Sequence, residues 1–273
     1  VMFELNFDEL TKDDLIKVNN QKIKLVVDNL DFYILLHLKE NNENLLVHSN
    51  GAIDLNKSTP PVFLRNSWRE EFDANCLFID DRTIHNSNVS LGWGLGTKDR
   101  YYVEDYARIS QKIAELLEIK DSNVTYYGSS GGGFISLMLA TLHRNSCAIV
   151  NNPQAYVHRY SRNAVLKAYH LVFGEEVSFD EVNKRYADRL SSTALMKKCK
   201  HVPLLFFIQN RLSKSDMENH VNPFMQMLDK YNLDSSKINF LFYNDKKSGH
   251  SPLPKDKTVE IVNLIINKEL NIY

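Results

Sequence analysis

Val124-Thr125-Tyr126-Tyr127-Gly128-Ser129-Ser130-Gly131-Gly132-Gly133-Phe134 runs from an apolar β-type segment into Gly-x-Ser-x-Gly and on into an apolar helix-type segment. A serine at such a strand-to-helix turn takes a strained backbone, so residues two before and two after it must be small. Gly128 and Gly132 meet that need. The turn points the Gly131 N–H at the place where an oxyanion would develop, and the following helix adds the positive end of its dipole. Ser130 is therefore the candidate nucleophile; Ser129 competes by position, but the glycine spacing frames Ser130. A phosphate cradle at the helix N-terminus is a rival use of the run, although no Walker-type lysine follows it. A purely structural turn is the other.

Outward from this turn, short β-branched and aromatic runs alternate with segments of helical period, the pattern of a mostly parallel sheet with crossover helices. Eight strands are expected, at 22–27, 32–37, 45–48, 76–80, 124–127, 148–151, 204–209 and 240–243. The last five are nearly continuously apolar, which predicts cover on both faces. Val103, Tyr106, Ile109, Ile113, Leu116 and Leu117 mark one face of a crossover helix. The segment 155–199 has helical patterning and many charges between two core strands, and reads as a helical cap inserted in one domain spanning 1–273. No internal repeat, low-complexity tract or long linker argues for a boundary.

A serine hydroxyl needs a base, and the base needs a carboxylate to hold its tautomer. On a sheet with this elbow they follow the serine in the order acid, then histidine. Of nine histidines, His250 in Lys247-Ser248-Gly249-His250-Ser251-Pro252 lies on the loop after the last strand. Asp216 is the first carboxylate after the preceding strand, with Glu218 and Asp245 as fallbacks; Asp216 is also a good helix N-cap. The loop after the third strand, His48-Ser49-Asn50-Gly51, suggests the backbone N–H of Asn50 or Gly51 as a second oxyanion donor. Gly92-Trp93-Gly94-Leu95-Gly96 is only superficially like a dinucleotide fingerprint, because the spacing is wrong and a polar loop precedes it. Trp93 is instead expected on a mobile loop at the mouth of the site, or packed at the sheet edge. His158, Arg159 and Arg162 are candidate contacts for a phosphate or carboxylate, or else a solvated helix face.

The bulk composition narrows the partners. A chain of 273 residues, 43% hydrophobic and 25% charged, with a formal net charge of -1, is an ordinary globular protein with no electrostatic pull toward nucleic acid. The opening residues show no basic region followed by an apolar core, so neither a leader nor a transmembrane segment is expected, and a cytoplasmic location is the default. Cys76, Cys147 and Cys199 are odd in number and widely spaced, which suits free thiols better than disulfides or zinc, and no metal is expected.

The elbow, the order Ser130, Asp216, His250 and the strand count together resemble the α/β-hydrolase superfamily. Within it, GWGLGTKDRYY, VTYYGSSGGGF and Asn151-Asn152-Pro153-Gln154 resemble the bacterial surface-polysaccharide O-acetyltransferases, among them the meningococcal serogroup A capsule enzyme and the acetyltransferase component of accessory secretion systems. That resemblance implies an acetyl group taken from acetyl-CoA, as a substrate and not a bound cofactor, onto Ser130 and passed to a capsular carbohydrate hydroxyl. An esterase or deacetylase using water is the runner-up, and a non-catalytic scaffold of polysaccharide assembly the third reading. A homo-oligomer and peripheral association with such an assembly both stay open.

Overall fold

Nine runs of strand-forming residues pair into one sheet in a computed structural model that describes residues 2–270. They are β1 (Met2–Asn6), β2 (Lys22–Val27), β3 (Leu30–His37), β4 (Leu45–Ser49), β5 (Asn75–Ile79), β6 (Val124–Ser129), β7 (Cys147–Asn151), β8 (Leu204–Asn210) and β9 (Ile238–Tyr243). Their order across the sheet is β1-β2-β3-β5-β4-β6-β7-β8-β9. Only β3 is antiparallel, to β2 on one side and β5 on the other; every other pair is parallel.

The expected α/β architecture holds, with one strand more than the eight anticipated. The extra strand, β1, is a five-residue edge strand whose Phe3 and Leu5 are half-buried while Met2, Glu4 and Asn6 face out. So short an alternation carries little signal. Continuous burial is found in β5, β6 and β7 and in all but the first residue of β8. β9 is the exception: its apolar run forms the far edge, with Phe242 47% exposed.

Helices cover the sheet. α1 (Lys12–Lys17) joins β1 to β2, and its first turn is closed by a reciprocal capping box between Thr11 and Asp14. α2 (Tyr102–Leu116) buries Val103, Tyr106, Ile109 and Ile113, as its spacing predicted. α3 (Gly131–Leu142) is apolar all round and wholly internal to its last turn. Between β7 and β8 lie α4 (Arg162–Phe173), α5 (Phe179–Arg185), α6 (Ala187–Leu190) and α7 (Ser192–Cys199); α7 packs on α3 and so completes the crossover to β8. The short α8 (Lys214–Asp216), a π-helical turn at Met217–Val221, α9 (Asn222–Lys230) and α10 (Lys255–Ile266) complete the chain.

Alternation along the strands divides the interior. Tyr126 joins the larger cluster under α2, α3 and α9, while its neighbour Tyr127 joins a smaller one under α10. Such a strand, packed on both faces, can hold a strained turn at its end. The parallel strands β4, β6, β7 and β8 all end on one rim, where loops of an α/β sheet gather chemistry. Cys76 and Cys147 are buried free thiols, and burial pushes both up to about 12; they are packing residues and not nucleophiles.

Candidate active site

Ser130 stands between β6 and α3 with φ 53° and ψ -124°. A non-glycine residue holds that conformation only where its surroundings over-determine it. Here they do: a Cβ on Gly128 would lie 2.3 Å from the Gly132 carbonyl oxygen, and one on Gly132 only 2.5 Å from that of Ser49. The Ser130 N–H donates to the Asn151 carbonyl at 3.2 Å, and the Ser130 carbonyl accepts from the N–H groups of Phe134 and Gln154, each at 3.1 Å. The turn is thereby fixed to β7 as well as to its own helix.

His250 comes to this turn from the loop after β9, 38% exposed at its side chain. Its Nδ1–H donates to both carboxylate oxygens of Asp216, at 2.8 and 2.9 Å. That bond leaves the Nε2 lone pair to accept the Ser130 hydroxyl proton, with Nε2 and Oγ 2.8 Å apart. Burial works to raise the Asp216 carboxyl, but the hydrogen bonds and charge of His250, with Ser213, outweigh it and hold Asp216 below its usual value. Asp216 sits at the end of α8 with no side-chain cap bond, so its carboxylate serves His250 and not a helix N-terminus. The fallbacks lie elsewhere: Glu218 faces Lys214 at 3.7 Å, and Asp245 is exposed and accepts the N–H groups of Lys247 and Ser248.

Ser129 turns away from the histidine and accepts a hydrogen bond from Arg65 Nη2 at 2.6 Å. Asn50 is buried, its side-chain oxygen and nitrogen bonded to the backbone of Leu64 and Val62. Its backbone and that of Gly51 abut the elbow, since a Cβ on Gly132 would lie 3.0 Å from the Gly51 nitrogen. Gly131 begins α3, whose first N–H groups have no partner within the helix. Gly131, Asn50 and Gly51 are thus brought together around Ser130.

Trp93 requires correction. It is fully buried, at neither the mouth nor the sheet edge, and its Nε1–H donates to Gln154 Oε1. Gln154, also fully buried, donates through Nε2 to Ser130 Oγ at 3.1 Å. Arg159 is exposed on the rim, whereas His158 is half-buried edge-on to Tyr156 and lowered by burial and then by the charge of Arg159. Arg162 is taken up by the face of Phe179, 3.5 Å from the ring centroid. Beside His250 and Asp216 opens a cleft of about 440 Å³ lined by Arg159, Tyr160, Ser161, Ser215, Asn219 and His220. The buried His220 in the π turn is pushed by burial down to about 4 and stays neutral near pH 7.

Motif and spacing assign no individual role to Gln154 or His220, nor to two buried asparagines. The Asn152 side chain donates to the carbonyls of His250 and Ser251 and to the Tyr243 hydroxyl, and accepts from the Asn210 N–H. The Asn210 side chain donates to the carbonyls of Asp245 and Gly249 and accepts from the Asp245 N–H. Together they clasp the histidine loop to the sheet rim. The available signal was polar residues at the ends of otherwise apolar strands, Asn151-Asn152-Pro153-Gln154 and Gln209-Asn210.

Residues 93–266, more than half of the chain, match the model of the prolyl oligopeptidase family. Among solved structures, the chain is similar to the capsule O-acetyltransferase of Neisseria meningitidis serogroup A, at 12% identity over 88% of this chain and 96% of that one, with a TM-score of 0.64. A histidine-to-alanine variant of that enzyme in complex with CoA matches at 12% identity over 92% and 99%, also at 0.64. Carboxyl esterase 2 of the fungus Tuber melanosporum matches at 14% identity over 92% and 87%, with a TM-score of 0.59. At such identities the likeness is one of fold. No curated protein matches the sequence.

Proposed function

The chain belongs to the prolyl oligopeptidase family of α/β-hydrolases, and from that premise we propose that it is a serine acyltransferase moving acetyl from acetyl-CoA to a hydroxyl of a surface polysaccharide. The observation that carries an acyl-transfer reading is the continuous hydrogen-bonded line from Ser130 through His250 to Asp216. His250 takes the Ser130 proton, Oγ attacks the thioester carbonyl, and the backbone N–H groups of Gly131 and of the Asn50–Gly51 loop receive the oxyanion. The proton passes to the departing thiol, leaving an acetyl-serine. His250 then takes the proton of an acceptor hydroxyl, whose oxygen attacks the same carbonyl.

The choice of acceptor rests on the cleft. Its hydroxyl, amide and guanidinium groups suit a hydroxylated molecule better than a hydrocarbon chain, and the guanidinium of Arg159, which lines it, would pair with a phosphate or carboxylate on such a molecule. The fold-level likeness to a capsule O-acetyltransferase, solved also with CoA, supports the donor and the polysaccharide. Water in the acceptor's place makes the same machinery an esterase, as the likeness to a carboxyl esterase suggests. Partners of the chain on this reading are a small acyl donor and a carbohydrate. Among the described residues no helix is long and apolar enough to cross a membrane.

Release of CoA from acetyl-CoA, followed with and without capsular glycans including phosphate-linked ones, tests the proposal. Glycan-stimulated release with acetyl appearing on sugar, abolished in Ser130→Ala, is the expected result. Ser130-dependent cleavage of aryl acetates without any glycan stimulation identifies an esterase instead, and silence in both assays returns the protein to a scaffold.

A further inference from the structure

We propose that Gln154 is a catalytic residue of this acyl transfer, its amide held on Ser130 Oγ by Trp93 so that the acyl-serine breaks down quickly; the inference rests on the acyl-transfer reading of Ser130. The orientation of the amide is dictated by its neighbour. An indole Nε1–H can only donate, so the Gln154 oxygen must face Trp93 and the NH₂ must face Ser130. Both side chains are fully buried, so neither has water as an alternative partner. The Gln154 backbone is pinned too: its N–H donates to the Ser130 carbonyl at 3.1 Å, and Pro153 rests against Gly133, where an added Cβ would lie 2.8 Å from the proline Cβ. Trp93 is itself fixed, edge-on to Tyr160 with centroids 5.9 Å apart.

Ser130 Oγ therefore carries two hydrogen bonds in the resting protein, donating one to His250 and accepting one from Gln154. In the first step its proton moves to His250, Oγ bonds to the acyl carbon, and the donor's sulfur or oxygen leaves with that proton. Oγ is then an ester oxygen, a weak acceptor, and the buried Gln154 N–H loses a good partner, which raises the acyl-serine. In the second step His250 takes the acceptor's proton and the acceptor oxygen bonds to the acyl carbon. The carbon–Oγ bond breaks with its electron pair on Oγ, which recovers the proton from His250. Charge grows on Oγ as it leaves, so the Gln154 bond strengthens on the way to that transition state and favours deacylation.

The full chain reacted with p-nitrophenyl acetate, by stopped-flow absorbance and intact-mass detection of acetylated Ser130, separates the two steps. Gln154→Leu is expected to deacylate about tenfold more slowly than wild type, the factor about 1.4 kcal/mol carries, so that a burst appears and acetyl accumulates on Ser130. Trp93→Phe, which keeps Gln154 and removes only the indole N–H, is expected to shift the partition the same way by a smaller factor. It serves as the test if the leucine variant does not fold. An unchanged deacylation rate constant in either folded variant overturns the role of Gln154 while leaving the acyl-transfer reading intact. A wild-type protein no faster than Ser130→Ala defeats that reading, and the proposal with it.

Discussion

Asp216 shows how a single carboxylate is selected from several near in sequence. Glu218 and Asp245 remain in solvent, whereas Asp216 is 4% exposed and bonded to His250 through both oxygens. Its folded pKa lies below the ordinary carboxyl value, so the stability it contributes is present above that value and is lost only as pH falls through the lowered one. The pair is thus intact throughout the neutral range. Asp216→Asn is expected to lower kcat by roughly 10³–10⁴-fold by leaving His250 without a carboxylate to fix its tautomer. Steady-state kinetics with an aryl acetate checks this, and Glu218→Gln and Asp245→Asn serve as controls at wild-type rate; a larger loss in either control would move the acid. At this scale the sequence was legible where chain position brings a residue to the rim of the sheet, as for Ser130 and His250, whose side chains lie 2.8 Å apart. For Trp93, glycines on both sides make a loop look mobile, and only packing reveals that its indole is buried behind Gln154 and Ser130.

Elements were legible in proportion to how completely they are buried. β6 and α3 announce themselves because both faces of the strand and every face of the helix meet protein. β1 gives little signal because its alternation covers only five residues, and the apolar run of β9 predicts a covered strand because apolar content does not say whether a neighbour lies alongside. The clasp between β7, β8 and the histidine loop left no periodic trace at all. Asn210→Ala is expected to destabilise the fold by about 1–3 kcal/mol, the scale of leaving buried polar groups unpaired, and to lower kcat more than the unfolded fraction explains. Urea melts beside single-turnover kinetics measure the two effects, and a wild-type kcat in the folded variant would show that the loop keeps its place unaided.

Across the whole molecule, neutral buried histidines link stability to pH. His48 is buried between Phe78, Phe72 and Tyr127 in the smaller cluster, with both ring nitrogens unpartnered among the described residues. Burial first, and then the charge of Arg65, push its pKa well below 6.5; His220 moves the same way, to about 4. The unfolded chain therefore takes up protons that the native state refuses as pH falls below about 6.5, and stability is full above that value and declines toward 4. His48→Phe is expected to reduce the loss of unfolding free energy between pH 7 and pH 5 by about 1–2 kcal/mol, read from urea melts at the two pH values; equal losses in both proteins would remove His48 as the cause. The sequence by itself determined the mostly parallel α/β sheet, the elbow at Ser130 and the histidine after the last strand, because periodicity, glycine spacing and chain order are local properties. Tertiary structure alone decided between Asp216 and its fallbacks Glu218 and Asp245 as the carboxylate on His250, set Gln154 and Trp93 behind Ser130, and brought two asparagines onto the histidine loop. Those depend on which buried polar atoms meet across strands distant in the chain, and a buried polar atom finds its partner in space, without regard to spacing along the sequence.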